Sequence, residues 1–170
     1  MSRRILCVLH QAHSTTGQVG VALRQLGHHV QIIRPLVGQR IPRRLDQFDG
    51  LVVFGGPMSA NDEDDFIKYE KEWIQVPLKE NKPFLGICLG AQLLSCSIGG
   101  TITTKDNVEI GYYPIKPTEY GKKLLNWPPF VHQWHREWMR PPQEAKIPRC
   151  TVPVRLNGRL HRPRNPRSTC

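Results

Sequence analysis

No run of about 18 apolar residues occurs in this 170-residue chain, so the sequence predicts no membrane-spanning helix. Nor does the start provide a secretory signal. Met1-Ser2-Arg3-Arg4 leads straight into the strand-like Ile5-Leu6-Cys7-Val8-Leu9, which is too short for an apolar signal region with its cleavage site, and the expected location is the cytoplasm. Cysteines are few and unpatterned, at 7, 88, 96, 150 and 170. An odd number without Cys-x-x-Cys spacing argues against both a disulfide framework and a zinc site, so reduced thiols are expected, with no metal and no cofactor. Hydrophobic residues make up 39% of the chain, and with its 14 glycines added the apolar fraction is ordinary for a globular protein, predicting one domain with a core.

Basic residues are in excess, with a net charge of +10, but the excess is local. Arg140, Lys146, Arg149, Arg155, Arg159, Arg162, Arg164 and Arg167 face the single acid Glu144 in residues 139–170, which also hold six of the 15 prolines. A selected nucleic-acid arm clusters Lys and Arg instead of scattering arginines among prolines, so nucleic acid is not an expected partner.

Ahead of that tail, strand-like and helix-like segments alternate in the manner of a three-layer, mostly parallel α/β sheet. Buried strands are read at 5–9, 30–33, 51–54 and 83–87. A helix over 17–26 places Val19, Ala22, Leu23 and Leu26 on one face, with Gly27 as its stop. A second, over 64–74, carries acids at its start, explained by capping and the helix dipole better than by a metal cluster at 62–65. Further strands are expected at 101–103, at 110–115 as an edge strand because Pro114 cannot donate to a ladder, and at 130–135. No strand or helix is legible in 139–170.

The most informative segment is Gly86-Ile87-Cys88-Leu89-Gly90-Ala91-Gln92, which sets a cysteine between two glycines where an apolar strand stops and an apolar helix begins. This is the layout of a nucleophile elbow. A nucleophile on such a turn holds a strained backbone, and bulky flanking residues would collide with neighbouring strands. The helix start favours the thiolate, the reactive form of the side chain. The plainer alternative, a buried core cysteine, leaves the paired glycines without a reason.

With its loop Phe54-Gly55-Gly56-Pro57-Met58-Ser59 and its segment His132-Gln133-Trp134-His135, this elbow resembles the class I, triad-type glutamine amidotransferases over about residues 1–138. The resemblance implies their flavodoxin-like fold, incomplete at the C-terminus. It also implies hydrolysis of the glutamine side-chain amide through a Cys88 thioester, with the oxyanion held by the backbone N–H groups of Gly56 and Leu89. Gly55, Gln92, Trp134 and His135 would then contact the substrate. A γ-glutamyl hydrolase shares fold and cysteine and is the enzymatic alternative. Nothing here resembles a synthetase domain, so an ammonia acceptor would be a separate protein.

One family feature is missing. The general base is a histidine in a late His-Pro-Glu segment, and no such tripeptide occurs in these 170 residues. His161-Arg162-Pro163 is the nearest spelling, with no strand before it and no acid after it. His132 and His135 are candidates for a substitute base, but the reading predicts a chain inactive as given. The loss of pattern, the prolines and the charge together predict a shifted reading frame after about Trp138, which sequencing the gene past that codon would test. The competing expectation is a catalytically silent relative that binds acidic partners or nucleic acid through a disordered basic tail.

Overall fold

The computed structural model describes residues 1–124 and 126–143, with backbone only at 105–107, and the backbone of Arg149–Thr151, Arg155–Leu156 and Arg159–Leu160. Most of the expected tail lies outside the described residues, as does His161.

A first compact unit spans Met1–Thr103 with Met139–Pro142. Its sheet is fully parallel, in the order β2-β1-β3-β4, from β1 (Arg4–Val8), β2 (His29–Ile33), β3 (Gly50–Val53) and β4 (Phe84–Gly86). Alternation along β1 and β3 divides the core between the two faces of the sheet. Ile5, Cys7 and Val52 pack with Val19 and Leu23 of α1 (Gly17–Gln25). Leu6, Val8, Leu51 and Val53 pack with Ile67 and Trp73 of α2 (Asp65–Trp73) and with Leu89 and Leu93 of α4 (Leu89–Ser97). Helices thus cover both faces of a parallel sheet, the three layers that the sequence predicts.

Several expectations need correction. Leu26 caps α1 and is 71% exposed, and Ala22 is exposed too, so only half of the expected apolar face meets the sheet. Gly27 does stop the helix, at φ +78°, with its N–H on the Arg24 carbonyl and the His28 N–H on that of Leu23. The acids before α2 do not cap it through a side chain: Asp64 accepts through its backbone carbonyl, Asp62 takes the Ser59 N–H, and Glu63 pairs with Lys68 at 2.7 Å. A short helix α3 (Gln75–Lys79) follows, unforeseen because Pro77 reads as a breaker, although proline is tolerated in a first turn. The expected burial of the elbow strand fails at Leu85, which is 50% exposed, because β4 ends the described sheet and only β3 pairs with it.

The second unit centres on Thr104–Trp138. The two segments expected at 101–103 and 110–115 form one strand, β5 (Thr101–Pro117), with Gly111 at φ +132° absorbing the irregularity. It is not an edge strand. It lies between β6 (Phe130–Arg140) and β7 (Arg149–Thr151), and β7 pairs antiparallel with Ile115–Pro117, beyond Pro114. A helix α5 (Glu119–Leu124) was not foreseen. Beyond 138, β6 runs on to Arg140, and β7 and the pair β8 (Arg155–Leu156) and β9 (Arg159–Leu160) give the tail strands that its sequence did not announce.

Candidate active site

The elbow is built by close backbone approach. Ile87 donates its N–H to the Val53 carbonyl at 2.9 Å, carrying the chain off β4 alongside β3. A Cβ on Gly90 would overlap that same Val53 carbonyl, and one on Gly86 would fall 2.7 Å from the backbone of Ala91. Both glycines are therefore required by the tight strand-to-helix turn, as their spacing implied.

Between them Cys88 takes φ +51° and ψ −110°, a conformation an L-residue rarely adopts and one that costs on the order of 1–3 kcal/mol. Its thiol is exposed, whereas Cys7 is buried and Cys96 half-buried. Cys88 caps α4, and its carbonyl receives the N–H groups of Ala91 and Gln92, both at 3.0 Å. Leu89, first residue of the helix, has no carbonyl one turn back for its amide. Gln92, one turn into α4, is buried.

The loop after β3 meets this turn. A Cβ on Gly55 would sit 3.1 Å from Cys88 Cβ and 3.7 Å from its Sγ, so glycine lets the main chain lie against the thiol. Cys88, Gly55, Gly56 and Leu89 are thus brought together within the first unit. Behind the loop stands a pair that the sequence reading missed. His10 and Glu70 are both buried, joined through Nε2 at 3.0 Å and 3.1 Å to the two carboxylate oxygens, and His10 Nδ1 lies 3.3 Å from the Gly55 carbonyl. Glu70 was legible as an acid between Ile67 and Trp73 on the apolar face of α2.

Trp134 and His135 belong to β6 and the second unit. Trp134 is 70% exposed. His135 Nε2 contacts Gln133 Oε1 at 3.1 Å and Glu109 Oε2 at 3.3 Å, and its Nδ1 is buried with no partner among the described residues. His132 makes an edge contact with Tyr112, ring centroids 5.3 Å apart. The roles given to these three rest on the resemblance.

Fold and turn together define an α/β protein that presents an exposed cysteine on a tight strand-to-helix turn. A family profile for glutamine amidotransferase class-I matches residues 8–152, past the limit expected at 138, and the chain belongs to that family. The glutamine amidotransferase-like protein YfeJ of Salmonella typhimurium is 30% identical over 144 residues, covering 79% of this chain and 60% of that protein. One subunit of the glutamine-hydrolyzing GMP synthase of Sulfolobus acidocaldarius is 29% identical over 128 residues, 74% of this chain and 65% of that one. Among solved structures, a glutamine amidotransferase from Thermotoga maritima superposes with a TM-score of 0.75 at 28% identity, over 86% of this chain and 66% of that one. The chain spans about 60% of the YfeJ length.

Proposed function

We propose that the chain acts on the side-chain amide of glutamine through Cys88. The thiolate attacks the amide carbon, the oxygen takes up the negative charge, and collapse breaks the C–N bond to leave a γ-glutamyl thioester on Cys88 and ammonia. Water then attacks the thioester, releasing glutamate and the thiol. The N–H groups of Gly56 and Leu89 are the oxyanion donors in this proposal, and such donors typically contribute about 10²- to 10³-fold each. Gly55 and Gln92 border the substrate, with Trp134 and His135 assigned to it by resemblance. One observation supports the reading most: Cys88 sits strained and exposed at the start of α4 with the Gly55–Gly56 loop against it.

The departing ammonia needs a proton and the thiol a base, and the His-Pro-Glu segment that supplies both in the family is absent from the sequence. The 170-residue chain is therefore proposed to hydrolyse glutamine poorly, by about 10²- to 10⁴-fold against a complete triad. A relative named as one subunit of a glutamine-hydrolyzing synthase favours a separate protein as the acceptor of ammonia. Measuring ammonia release from glutamine, with Cys88→Ala as control, tests the proposal. Ordinary glutaminase rates abolished by Cys88→Ala would refute the inactivity and give His135 or His132 the part of base. A preference for γ-glutamyl peptides over glutamine would move the substrate to the γ-glutamyl hydrolase class.

A further inference from the structure

The buried His10–Glu70 pair has no part in the chemistry above, and burying two such polar side chains carries a desolvation cost. Its position gives it a use. A carbonyl oxygen only accepts, so the 3.3 Å contact to Gly55 requires a hydrogen on His10 Nδ1. The other nitrogen, Nε2, faces the Glu70 carboxylate at 3.0 Å, and that contact fixes the ring's orientation.

The carbonyl of Gly55 and the N–H of Gly56 belong to one planar peptide unit and point in opposite directions. Holding the carbonyl on the His10 side therefore aims the N–H the other way. With glycine at both flanks, no side chain of its own restrains that peptide's rotation. The space is also closed: a Cβ on Gly56 would fall 2.8 Å from His10 Cβ and 3.2 Å from Leu89 Cδ2, so the loop is wedged between His10 and the first residue of α4.

We infer that His10 and Glu70 are positioning residues that lock the Gly55–Gly56 peptide so that the Gly56 N–H points at the oxygen of the carbonyl attacked by Cys88. This rests on the proposal that Gly56 is an oxyanion donor. Glu70 orients the imidazole, the imidazole anchors the carbonyl, and the anchored carbonyl polarises the N–H it is conjugated with.

The test compares two reagents on Cys88 of the whole chain. A chloroketone analogue of glutamine passes through a tetrahedral oxyanion, whereas iodoacetamide reacts by direct displacement and forms none. His10→Gln sets an amide near the Nε2 position and loses the contact to Gly55; His10→Asn sets one near Nδ1 and keeps it. His10→Gln is expected to slow the chloroketone by about tenfold or more, as loss of an oxyanion donor does, with the iodoacetamide rate within about twofold. His10→Asn is expected to retain most of the chloroketone rate. Replacing both residues, His10→Leu with Glu70→Met, removes the buried polar pair without an orphan charge and gives the same selective loss if His10→Gln does not fold. An unchanged chloroketone rate in His10→Gln or in the double variant overturns the inference, and so does an equal fall with both reagents. If the wild-type chain shows no preference for the glutamine analogue over iodoacetamide, the glutamine reading itself fails first.

Discussion

Replacing Cys88 by glycine should make the protein more stable than replacing it by alanine. The two variants lose the same thiol, so their difference isolates the backbone. At φ +51° and ψ −110° an alanine retains the strain of about 1–3 kcal/mol, which glycine, lacking Cβ, escapes. Glycine also has more freedom to lose on folding, which offsets about 0.5–1 kcal/mol. The net expectation is a gain of roughly 1 kcal/mol for Cys88→Gly over Cys88→Ala, or about 2–4 °C in midpoint for a domain of this size. Urea denaturation followed by tryptophan fluorescence would resolve this. If Cys88→Gly is equal to or less stable than Cys88→Ala, the strained elbow does not exist in solution, and the exposed thiol loses its structural explanation.

Other perturbations test the surroundings of the elbow. Gly90→Ala forces a Cβ into the Val53 carbonyl, and since neither backbone can retreat cheaply a loss of at least about 2 kcal/mol is expected; wild-type stability would contradict the close seating of α4 on β3. Burial pushes the Cys7 thiol from an ordinary 9.0 up to about 11, against a smaller opposing pull from the Arg24 charge. The folded state thus keeps a proton that the unfolded chain releases above pH 9, and stability should fall as the pH rises from 9 towards 11, by on the order of 2 kcal/mol. Cys7→Ala should remove that part of the slope, and identical slopes in the two proteins would count against it. Ammonia release from glutamine should be slow, about 10²- to 10⁴-fold below that of a complete triad, and the residual rate should be lost in Cys88→Ala; a residual rate that Cys88→Ala leaves unchanged would count against Cys88 as the nucleophile.

What the sequence made legible was local chemistry. The elbow could be read because Gly86 and Gly90 have no purpose on an ordinary turn, and the first four strands because parallel strands buried on both faces read as short apolar runs. Exposure of Leu85 was not legible, since it depends on what pairs with the far side of β4 and not on Leu85 itself. The span of β5 was hidden because Gly111 and Pro114 look like punctuation, and a long ribbon accommodates both. The His10–Glu70 pair is a contact across 60 residues of sequence, announced only by an acid in an apolar helix face. Trp134 and His135 took their expected roles from resemblance, and their exposure and neighbours became visible only in the folded chain.

The central claim is that Cys88 is a nucleophile addressed by glutamine. Brief exposure of the intact chain to a glutamine chloroketone, followed by peptide mass mapping with and without free glutamine, tests it most directly. The account predicts one adduct on Cys88, formed ahead of any on Cys7 or Cys96 and suppressed by glutamine in proportion to its concentration. Labelling first at Cys7 or Cys96, or labelling of Cys88 that glutamine does not slow, would contradict it.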